Sequence, residues 1–331
     1  MKRALITGIT GQDGAYLARF LIKKGYKVFG TYRRLSTPNF WRLHHLQIFD
    51  KVELIPGDII DSGSVAQALE KSNPHEIYHL AAQSFVDVSF NQPLYTGNMT
   101  GFGCVRILEQ LNKFNSKIKF YQASSSEMFG VEKSPVKNEK TPFHPVSPYG
   151  VAKVYAFWMV NMYRKIYGLH ASNGILFNHE SPIRGLEFVT RHISNGVAKI
   201  SLGLSKELYL GNLASKRDWG YAPEFVEGMW TMLQQKNPDD YVIATGESHS
   251  VEEFLALATE YTGLGDWREY VEIDYELRPT DIDVLVGDSS KAQKQLLWKP
   301  KMKFKDLIKN MVEHDLEYFK LRSDPINDDT D

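Results

Sequence analysis

Residues 7–14 read Thr-Gly-Ile-Thr-Gly-Gln-Asp-Gly and join a run of strand-forming residues, Arg3–Thr7, to a helical pattern near residues 13–24. A glycine turn between a strand and a helix lets the backbone approach a pyrophosphate, whose charge is favoured by the N-terminus of the helix. The spacing is G-x-x-G-x-x-G, and glycine alone is common in such turns. In this context the segment predicts a dinucleotide-binding turn formed by Gly8, Thr10, Gly11, Gln12, Asp13 and Gly14.

Strand-like and helical patterns alternate through the first half of the chain. The predicted strands are residues 3–7, 27–31, 51–55, 76–80, 117–121 and 171–177. The predicted helices between them lie near residues 13–24, 62–72, 99–113 and 148–166. Apolar strands that alternate with helices predict an α/β fold with a Rossmann-type, doubly wound parallel sheet.

After residue 178 the pattern changes to helices separated by short strands and loops. These helices are predicted near residues 187–200, 223–235, 250–262 and 304–320. We therefore expect a dinucleotide-binding domain over residues 1–178 and a smaller, mostly C-terminal α/β substrate-binding region over residues 179–322, with chain crossovers between them. The polar, acidic residues 323–331 predict a frayed tail.

Composition excludes several classes of function. The chain has 331 residues and a net charge of −1, so it has no basic field to attract nucleic acid or anionic lipid. Its single cysteine, Cys104, excludes an internal disulfide, and no Cys/His spacing indicates a metal site. The N-terminus runs directly into a strand without a signal peptide, and no window approaches about 20 apolar residues. We expect a cytoplasmic protein with no membrane partner.

The end of the second strand predicts which dinucleotide is bound. An acidic residue there would bind the ribose 2′-hydroxyl of NAD, but this chain has Arg33 and Arg34. Two guanidinium groups suit the 2′-phosphate of NADP, although a solvated basic loop is the alternative. Further cofactor contacts are expected after the third and fourth strands, at Asp58, Ile59, Leu80, Ala82 and Ser84.

The segment Ser147-Pro148-Tyr149-Gly150-Val151-Ala152-Lys153 carries a candidate base. Tyr149 and Lys153 are four residues apart, so they share one face of a helix. An ammonium beside the phenol would lower its pKa from about 10 and supply a phenolate near neutrality. Such a base can remove the proton of a sugar hydroxyl during hydride transfer. A half-buried tyrosine beside a solvated lysine is the alternative interpretation.

Two more candidate catalytic residues lie in the segment 122–130, QASSSEMFG, which follows the predicted fifth strand. Ser125 can hydrogen-bond a sugar hydroxyl while Tyr149 takes its proton. Glu127 suggests a second base, which a dehydratase needs to remove a C5 proton once C4 is a ketone. The alternatives are an ordinary serine turn and a surface carboxylate.

Taken together, these segments resemble the extended short-chain dehydrogenase/reductase superfamily and, within it, the GDP-mannose 4,6-dehydratases. The similarity runs over nearly the whole chain. Its most specific motifs are GITGQDGAYLA, AAQSFVDVSF, YQASSSEMFG, SPYGVAK, GILFNHESP (174–182), FVTR (188–191), LGNL (210–213), KRDWG (216–220), IATGE (243–247) and RPT (278–280).

The resemblance implies a role for each matched residue. The catalytic group would be Ser125, Glu127, Tyr149 and Lys153, with Lys153 also contacting the cofactor. Many members carry threonine where Ser125 stands, and serine keeps the hydroxyl. Further cofactor contacts would be Tyr95, His179 and Arg184. The substrate would contact Ser84, Ser125, Glu127, Tyr149, Asn178, Val189, Arg191, Gly211, Arg217 and Arg278.

The resemblance also implies conversion of GDP-mannose to GDP-4-keto-6-deoxymannose through NADP, by a homodimer or homotetramer with residues 33–36 as a possible subunit contact. Residues 35–50 are shorter than in many members and residues 262–277 are compact, so GDP-manno-heptose stays an alternative substrate. A nucleotide-sugar epimerase or reductase is a second alternative, against which Glu127 and the NHESP motif argue. An NADP-sensing protein is a third, against which Ser125, Tyr149 and Lys153 argue.

Overall fold

A computed structural model describes residues 1–134, 136–274 and 284–323. Arg278, which the resemblance places beside the substrate, lies outside the described residues. So do residues 324–331 of the expected tail, whereas Ser323 is the last residue of a helix. Within the described ranges no helix is both long and apolar enough to cross a membrane.

The chain forms fourteen strands and twelve α-helices within the described residues. The strands are β1 (Arg3–Thr7), β2 (Lys27–Tyr32), β3 (Val52–Pro56), β4 (Glu76–His79), β5 (Lys119–Ser125), β6 (Ala171–Leu176), β7 (Asn178–Glu180), β8 (Leu208–Leu210), β9 (Lys216–Arg217), β10 (Trp219–Tyr221), β11 (Tyr241–Ile243), β12 (His249–Ser250), β13 (Val271–Ile273) and β14 (Val284–Leu285). The helices are α1 (Gln12–Lys23), α2 (Trp41–His45), α3 (Ser62–Ser72), α4 (Val86–Asn91), α5 (Pro93–Thr96), α6 (Gly103–Phe114), α7 (Pro148–Tyr167), α8 (Val189–Ser201), α9 (Ala222–Gln234), α10 (Val251–Thr262), α11 (Ser290–Leu296) and α12 (Phe304–Ser323). A π-helix, Gly97–Phe102, leads into α6.

The main sheet has seven parallel strands in the order β11-β6-β5-β4-β1-β2-β3. The order reverses between β1 and β4, because β2 and β3 extend the sheet on one side of β1 and β4 begins the other side. In such sheets the crevice at this reversal, beyond the carboxyl ends of the strands, is where ligands bind. The predicted doubly wound parallel sheet is confirmed.

Both faces of the central sheet are buried, which explains why a strand such as β1 is apolar on both faces. Successive residues of β1 point to opposite faces: Leu5 belongs to the core beneath α3, α6 and α7, and Ile6 to the core beneath α1 and α9. Cys104 is fully buried on α6, as expected for a small apolar residue. The helices α8, α10 and α12 pack around a separate core that includes Ile193, Phe254 and Ile308.

The seventh strand, β11, was not predicted from the sequence. It comes from the C-terminal half of the chain and pairs with β6, with Tyr241 opposite Gly174 and Ile243 opposite Leu176. The helix α9 precedes it and packs against α1, close to the N-terminus. Three residues are too few to show a strand pattern, so only the pairing with β6 reveals this crossover.

The predicted end of the fifth strand was wrong by four residues. The strand continues past Tyr121 through Gln122, Ala123 and Ser124 to Ser125, between β4 and β6. These small and polar residues have no apolar pattern. Gln122 still pairs with β4, and Ala123, Ser124 and Ser125 continue the ladder by pairing with β6 alone. Ser125 is therefore the last residue of a central strand and not part of a loop.

The turn between β1 and α1 depends on two glycines. Gly8 has φ +74°, and a Cβ there would lie 3.0 Å from the backbone of Ala81. A Cβ on Gly14 would lie 2.4 Å from the carbonyl oxygen of Gly8 and 2.7 Å from Cα of Ile9. Only glycine at position 14 lets the first turn of α1 pack this closely on the end of β1.

We therefore expect Gly14→Ala to lower the free energy of unfolding by about 1–3 kcal/mol, the usual cost of overpacking. Gly97→Ala is the matched control, because a Cβ there meets no atom within 4 Å and the backbone is helical. The control should stabilise the protein by roughly 0.5–1 kcal/mol or leave it unchanged. Thermal or urea denaturation measures both, and equal stability of the two variants would contradict the packing argument.

Candidate active site

Two adjoining cavities lie along the carboxyl ends of the sheet strands. The first, of about 530 Å³, is lined by predicted cofactor residues Gly8, Thr10, Gly11, Arg33, Arg34, Asp58, Ile59, Leu80, Ala82, Ser84 and Tyr95. The second, of about 260 Å³, is lined by Gln12, Asp13, Gly14, Ser125, Glu127, Tyr149, Lys153, Asn178, His179, Arg184, Val189 and Arg217. The cavities share Gly8, Gly11, Leu80, Ala82 and Ser84, so they form one continuous crevice.

The first cavity has the shape and donors that a dinucleotide requires. Gly11 caps the N-terminus of α1 without a side-chain hydrogen bond, and a Cβ on it would meet only the Gly8 carbonyl oxygen, at 3.4 Å. The first turn of α1 thus faces the crevice without a covering side chain, which suits a pyrophosphate. At the far end, Arg33 donates a hydrogen bond through Nη1 to the hydroxyl of Tyr95. The residues therefore fit a dinucleotide whose adenosine end reaches the arginines.

The start of helix α7 positions Tyr149 at the second cavity. The Ser147 hydroxyl accepts a hydrogen bond of 3.0 Å from the Gly150 amide, and Pro148 occupies the first turn, where its missing N–H costs nothing. Tyr149 and Lys153 are only 8% and 4% exposed. Lys153 Nζ donates to the Ala123 carbonyl oxygen at 2.6 Å and lies 5.6 Å from the centre of the Tyr149 ring. The alternative of a solvated lysine beside a half-buried tyrosine is wrong.

Burial dominates the acid–base properties of this pair. It raises the pKa of Tyr149 to about 12, although a hydrogen bond with Ser125 opposes the rise. Burial also lowers the pKa of Lys153 to about 8. The expected lowering of the Tyr149 pKa by the ammonium is therefore wrong as a net effect, because desolvation of the phenolate outweighs the favourable contacts.

Ser125 and Glu127 meet Tyr149 from the end of β5. The Ser125 hydroxyl accepts a hydrogen bond of 3.2 Å from the Glu127 amide and begins a short 3₁₀ turn, Ser126–Met128. A Cβ on Gly150 would lie 2.8 Å from the Glu127 carbonyl oxygen, so this turn packs directly on the start of α7. Burial raises the pKa of Tyr149 most, the Ser125 hydrogen bond opposes this rise, and the Glu127 charge adds to it. Glu127 lines the cavity and is not an outer surface carboxylate.

An ion pair joins the glycine turn to β7. His179 Nδ1 lies 2.7 Å from the Phe177 carbonyl oxygen, and Nε2 lies 2.8 Å from Asp13 Oδ2. Both nitrogens face acceptors, an arrangement that suits the doubly protonated ring. Burial lowers the pKa of His179, but the Asp13 carboxylate reverses this and leaves it raised. Burial raises the pKa of Asp13, and His179 likewise outweighs it and leaves it lowered.

Arg184 forms one wall of the second cavity with two phenylalanines. Its guanidinium lies 3.6 Å from the centre of the Phe188 ring and pairs with Glu180 at 3.3 Å. Phe85 contacts Phe188 edge to face, with ring centres 5.7 Å apart. The sequence assigns no role to several other residues that line this cavity. These are Phe85, Val86, Asp87, Val146, Phe188, Thr190 and Trp219.

Two predicted substrate residues do not line either cavity. Arg191 is buried, forms an ion pair with Asp315 of α12 and donates to the Pro182 carbonyl oxygen at 2.9 Å. Gly211 follows β8, away from both linings. Their roles stay predictions, as does that of Arg278.

Among the residues that the structure describes, no group of three His, Cys, Asp or Glu side chains could hold a metal ion.

The comparison with known families decides the relationship of the chain. Residues 5–311 match the family described as GDP-mannose 4,6 dehydratase. The chain belongs to this family. The resemblance inferred from its motifs is therefore confirmed over most of its length.

Members of the GDP-mannose 4,6-dehydratase family and a more distant structure align with nearly the whole chain. GDP-mannose 4,6 dehydratase 1 of Arabidopsis thaliana is 50% identical, over 96% of this chain and 91% of that protein. GDP-mannose 4,6 dehydratase of Homo sapiens is 46% identical, over 96% of this chain and 92% of that protein. UDP-glucose 4-epimerase of Thermotoga maritima, solved with UDP-glucose, has a TM-score of 0.85 at 23% identity, over 96% of this chain and 99% of that one. The last similarity shows the fold alone.

The Asp13–His179 ion pair predicts a pH-dependent stability. The raised His179 pKa stabilises the fold fully below the usual value of 6.5, and this contribution is lost as the pH rises through the folded-state value. The lowered Asp13 pKa stabilises the fold above the usual value of 3.8, and this contribution is lost as the pH falls through its folded-state value. We expect the melting temperature of Asp13→Asn to fall furthest below that of the unmutated chain between pH 3.8 and pH 6.5. The difference between the two melting temperatures should narrow at higher pH.

Thermal melts from about pH 5 to about pH 9 measure this difference in melting temperature. Asp61→Asn is the matched control, because Asp61 caps helix α3 through Gly63 and Ser64 and has no histidine partner among its hydrogen bonds. The difference in melting temperature between Asp61→Asn and the unmutated chain should stay constant across this range. If the difference for Asp13→Asn were also constant with pH, this would contradict the assignment of an imidazolium to His179.

Proposed function

We propose that this chain is a hydro-lyase that converts GDP-mannose to GDP-4-keto-6-deoxymannose with a tightly held nicotinamide cofactor. One observation carries the proposal: Glu127 lines the same cavity as Ser125 and Tyr149, in a chain of the GDP-mannose 4,6-dehydratase family. A dehydrogenase or an epimerase needs one base at this place, whereas a dehydratase needs two.

In the proposed reaction, Tyr149 takes the proton of the C4 hydroxyl, and Ser125 holds that hydroxyl by a hydrogen bond. A bound oxidised nicotinamide would supply a positive charge, an acceptor for hydride from C4 and, once reduced, a donor of hydride to C6. The Lys153 ammonium stabilises the phenolate, whose formation burial opposes. Tyr149 and Ser125 thus prepare the ketone on which the second base acts.

Glu127 performs the step that distinguishes a dehydratase. Its carboxylate removes the C5 proton, which the neighbouring C4 ketone has made acidic, and delivers it to the C6 hydroxyl, which leaves as water. Once C6 has taken up hydride, C5 is reprotonated, which balances the proton that Tyr149 removed from the C4 hydroxyl. The product has lost one water and gained no net oxidation. The walls formed by Phe85, Phe188 and Arg184 exclude water from the unsaturated sugar during this step.

The cofactor is proposed to be NADP. Supporting this, Arg33 and Arg34 line the first cavity directly after β2, and the segment carries no acid that would select NAD. The remaining predicted contacts of the first cavity, and Lys153, His179 and Arg184 of the second, are proposed to complete the cofactor site. Arg217, in the second cavity, is proposed to hold the substrate pyrophosphate together with Arg278. The homodimer or homotetramer stays a prediction.

The decisive experiment incubates the protein with GDP-mannose and NADP⁺ and follows sugar-nucleotide mass and NADPH absorbance together. We expect loss of one water per turnover without accumulation of NADPH. Glu127→Gln should lower the rate of water loss by about 10²–10⁴-fold, yet should still form NADPH in a single turnover, because the first base is intact. Tyr149→Phe is the matched variant and should lose both signals.

Each of the other outcomes excludes a substrate, a residue's role or a class of function. An unchanged mass with GDP-mannose would remove that substrate, and GDP-manno-heptose is then tested in the same assay. Water loss at an undiminished rate in Glu127→Gln would contradict the assigned second base. If neither sugar changes and NADP binds, the epimerase and sensor interpretations take precedence.

The arginine pair makes a separate prediction about cofactor choice. Arg33→Ala and Arg34→Ala should each raise the Kd for NADP about tenfold to a hundredfold, the value of one charge-assisted hydrogen bond. The Kd for NAD, which lacks the 2′-phosphate, is the internal control and should change little. Equal weakening of both cofactors, measured by calorimetry, would contradict recognition of the phosphate.

A further inference from the structure

We infer that Asp240 is a positioning residue for catalysis. From outside both cavities, it holds helix α7, which carries Tyr149 and Lys153, in register with strand β5, which carries Ser125. This inference deepens the proposed function and rests on it for the roles of the catalytic residues. The contacts of Asp240 themselves are independent of any substrate.

Asp240 lies directly before the edge strand β11 and is 9% exposed. Arg164 binds its carboxylate with two parallel hydrogen bonds, Nη1 to Oδ1 at 2.9 Å and Nη2 to Oδ2 at 2.7 Å. Asn161 Nδ2 donates to Oδ2 at 3.0 Å, and Asn173 donates to Oδ1 from both its side chain (2.9 Å) and its backbone amide (3.2 Å). Five donors therefore fix this one carboxylate.

Asn173 carries the connection onward to strand β5. The residue is fully buried on β6, and its side-chain oxygen accepts a hydrogen bond of 3.1 Å from the Ser124 hydroxyl. Ser124 is the immediate neighbour of Ser125 and pairs across the sheet with Ile175. The carboxylate of Asp240 is thus two hydrogen bonds away from the strand residue beside the catalytic hydroxyl.

The other arm of the network belongs to helix α7. Asn161 and Arg164 lie two to three turns after Lys153 on this helix, and Arg164 Nη2 also donates to Asn161 Oδ1 at 2.7 Å. Near the N-terminal end, Lys153 is tied to β5 directly, through the Ala123 carbonyl oxygen. Helix α7 is therefore tied to the sheet at two points. At the second, two further hydrogen bonds join α7 to β6, from Asn173 Nδ2 to the Phe157 carbonyl oxygen (3.4 Å) and from Arg164 Nη1 to the Ala171 carbonyl oxygen (3.0 Å). Asp240 binds the side chains of both donors and so orients this second tie.

This second tie matters because apolar packing alone does not fix the register of a helix on a sheet. The residues that α7 buries between the two ties include Ala156, Phe157 and Val160, whose contacts are not directional. Hydrogen bonds in a buried network are directional, and an unsatisfied group there is costly, so the network admits one arrangement. A displacement of about 1 Å at the reacting groups can cost about a hundredfold in rate.

The test compares Asp240→Asn with a swapped pair, Asp240→Asn with Asn161→Asp. In the single variant an amide NH₂ faces donors of Arg164 and Asn161, so the network is broken. In the swapped pair the carboxylate moves to position 161, where Arg164 already bonds, and the amide introduced at position 240 can donate to it and accept from Asn173. Asp239→Asn is the matched control, because Asp239 pairs with Lys291, is half exposed, and as asparagine keeps an oxygen that can accept from the Asp240 backbone amide.

We expect kcat for GDP-mannose to fall about tenfold to a hundredfold in Asp240→Asn at a temperature where the variant is folded, with KM changed less than about threefold. The swapped pair should recover most of the loss, and Asp239→Asn should match the unmutated chain. A lower melting temperature with unchanged kcat would overturn the inference and leave Asp240 a purely structural residue. Failure of the swapped pair to recover kcat while it recovers stability would also overturn it.

Crystal structures of the unmutated chain and Asp240→Asn separate this inference from the proposed function. We expect the variant to show α7 displaced along β5 and a longer distance between the Tyr149 and Ser125 hydroxyls. If the unmutated chain turns over neither GDP-linked sugar, the dehydratase proposal fails, and this distance still decides the role of Asp240. An unchanged distance would overturn that role whatever the substrate is.

Discussion

The close approach of helix α1 to strand β1 determines where the rest of the site can form. Because Gly14 has no side chain, the first turn of α1 packs against the carbonyl of Gly8, and the helix begins at the carboxyl edge of the sheet. Gln12 and Asp13 then extend from that turn to residues far along the chain. Gln12 accepts a hydrogen bond of 2.6 Å from the Ser181 hydroxyl, and Asp13 pairs with His179. This one backbone contact thus aligns the glycine turn, residues 7–14, with strand β7, whose residues line the second cavity.

The reacting groups lie in an interior that opposes their charged forms. Burial pushes the Tyr149 pKa up and the Lys153 pKa down, so a neutral phenol and a readily deprotonated amine are favoured. Asp13 and His179 beside them each favour the charged form of the other. The Tyr149 phenolate forms more readily when further positive charge enters the crevice, since every Coulomb interaction is larger where water is excluded. The site therefore couples ligand binding to proton removal through its low polarity.

The sequence predicted the elements whose physical signal is local. Strands such as β1 are apolar on both faces, and helices such as α3 and α7 begin at capping residues, Asp61 and Ser147. Ser125, Glu127, Tyr149 and Lys153 were found because their chemistry is specific and their segments are long enough to match a family, and the structure brings them into one cavity.

The features that the sequence did not predict depend on partners distant in the chain. The last residues of β5 and all of β11 are strands only because β6 pairs with them, and the inward direction of Arg191 is set by Asp315 on the last described helix. Similarly, the sign of the Tyr149 pKa shift followed from burial, which no residue spacing reveals.

The position of β11 has a consequence for how the chain acquires its structure during synthesis. When the first 178 residues have left the ribosome, β6 is the outer strand of an unfinished sheet, and its backbone groups on one side have no partner. An exposed apolar strand edge invites pairing with other chains. The strand that covers this edge is some 65 residues further along the sequence, so at typical elongation rates the edge stays open for several seconds or more. Helix α9 leaves the ribosome before β11 and already packs on the sheet, which shortens the search of β11 for its partner. The nascent chain thus passes through a stage in which the backbone groups along one side of β6 wait for β11 to pair with them.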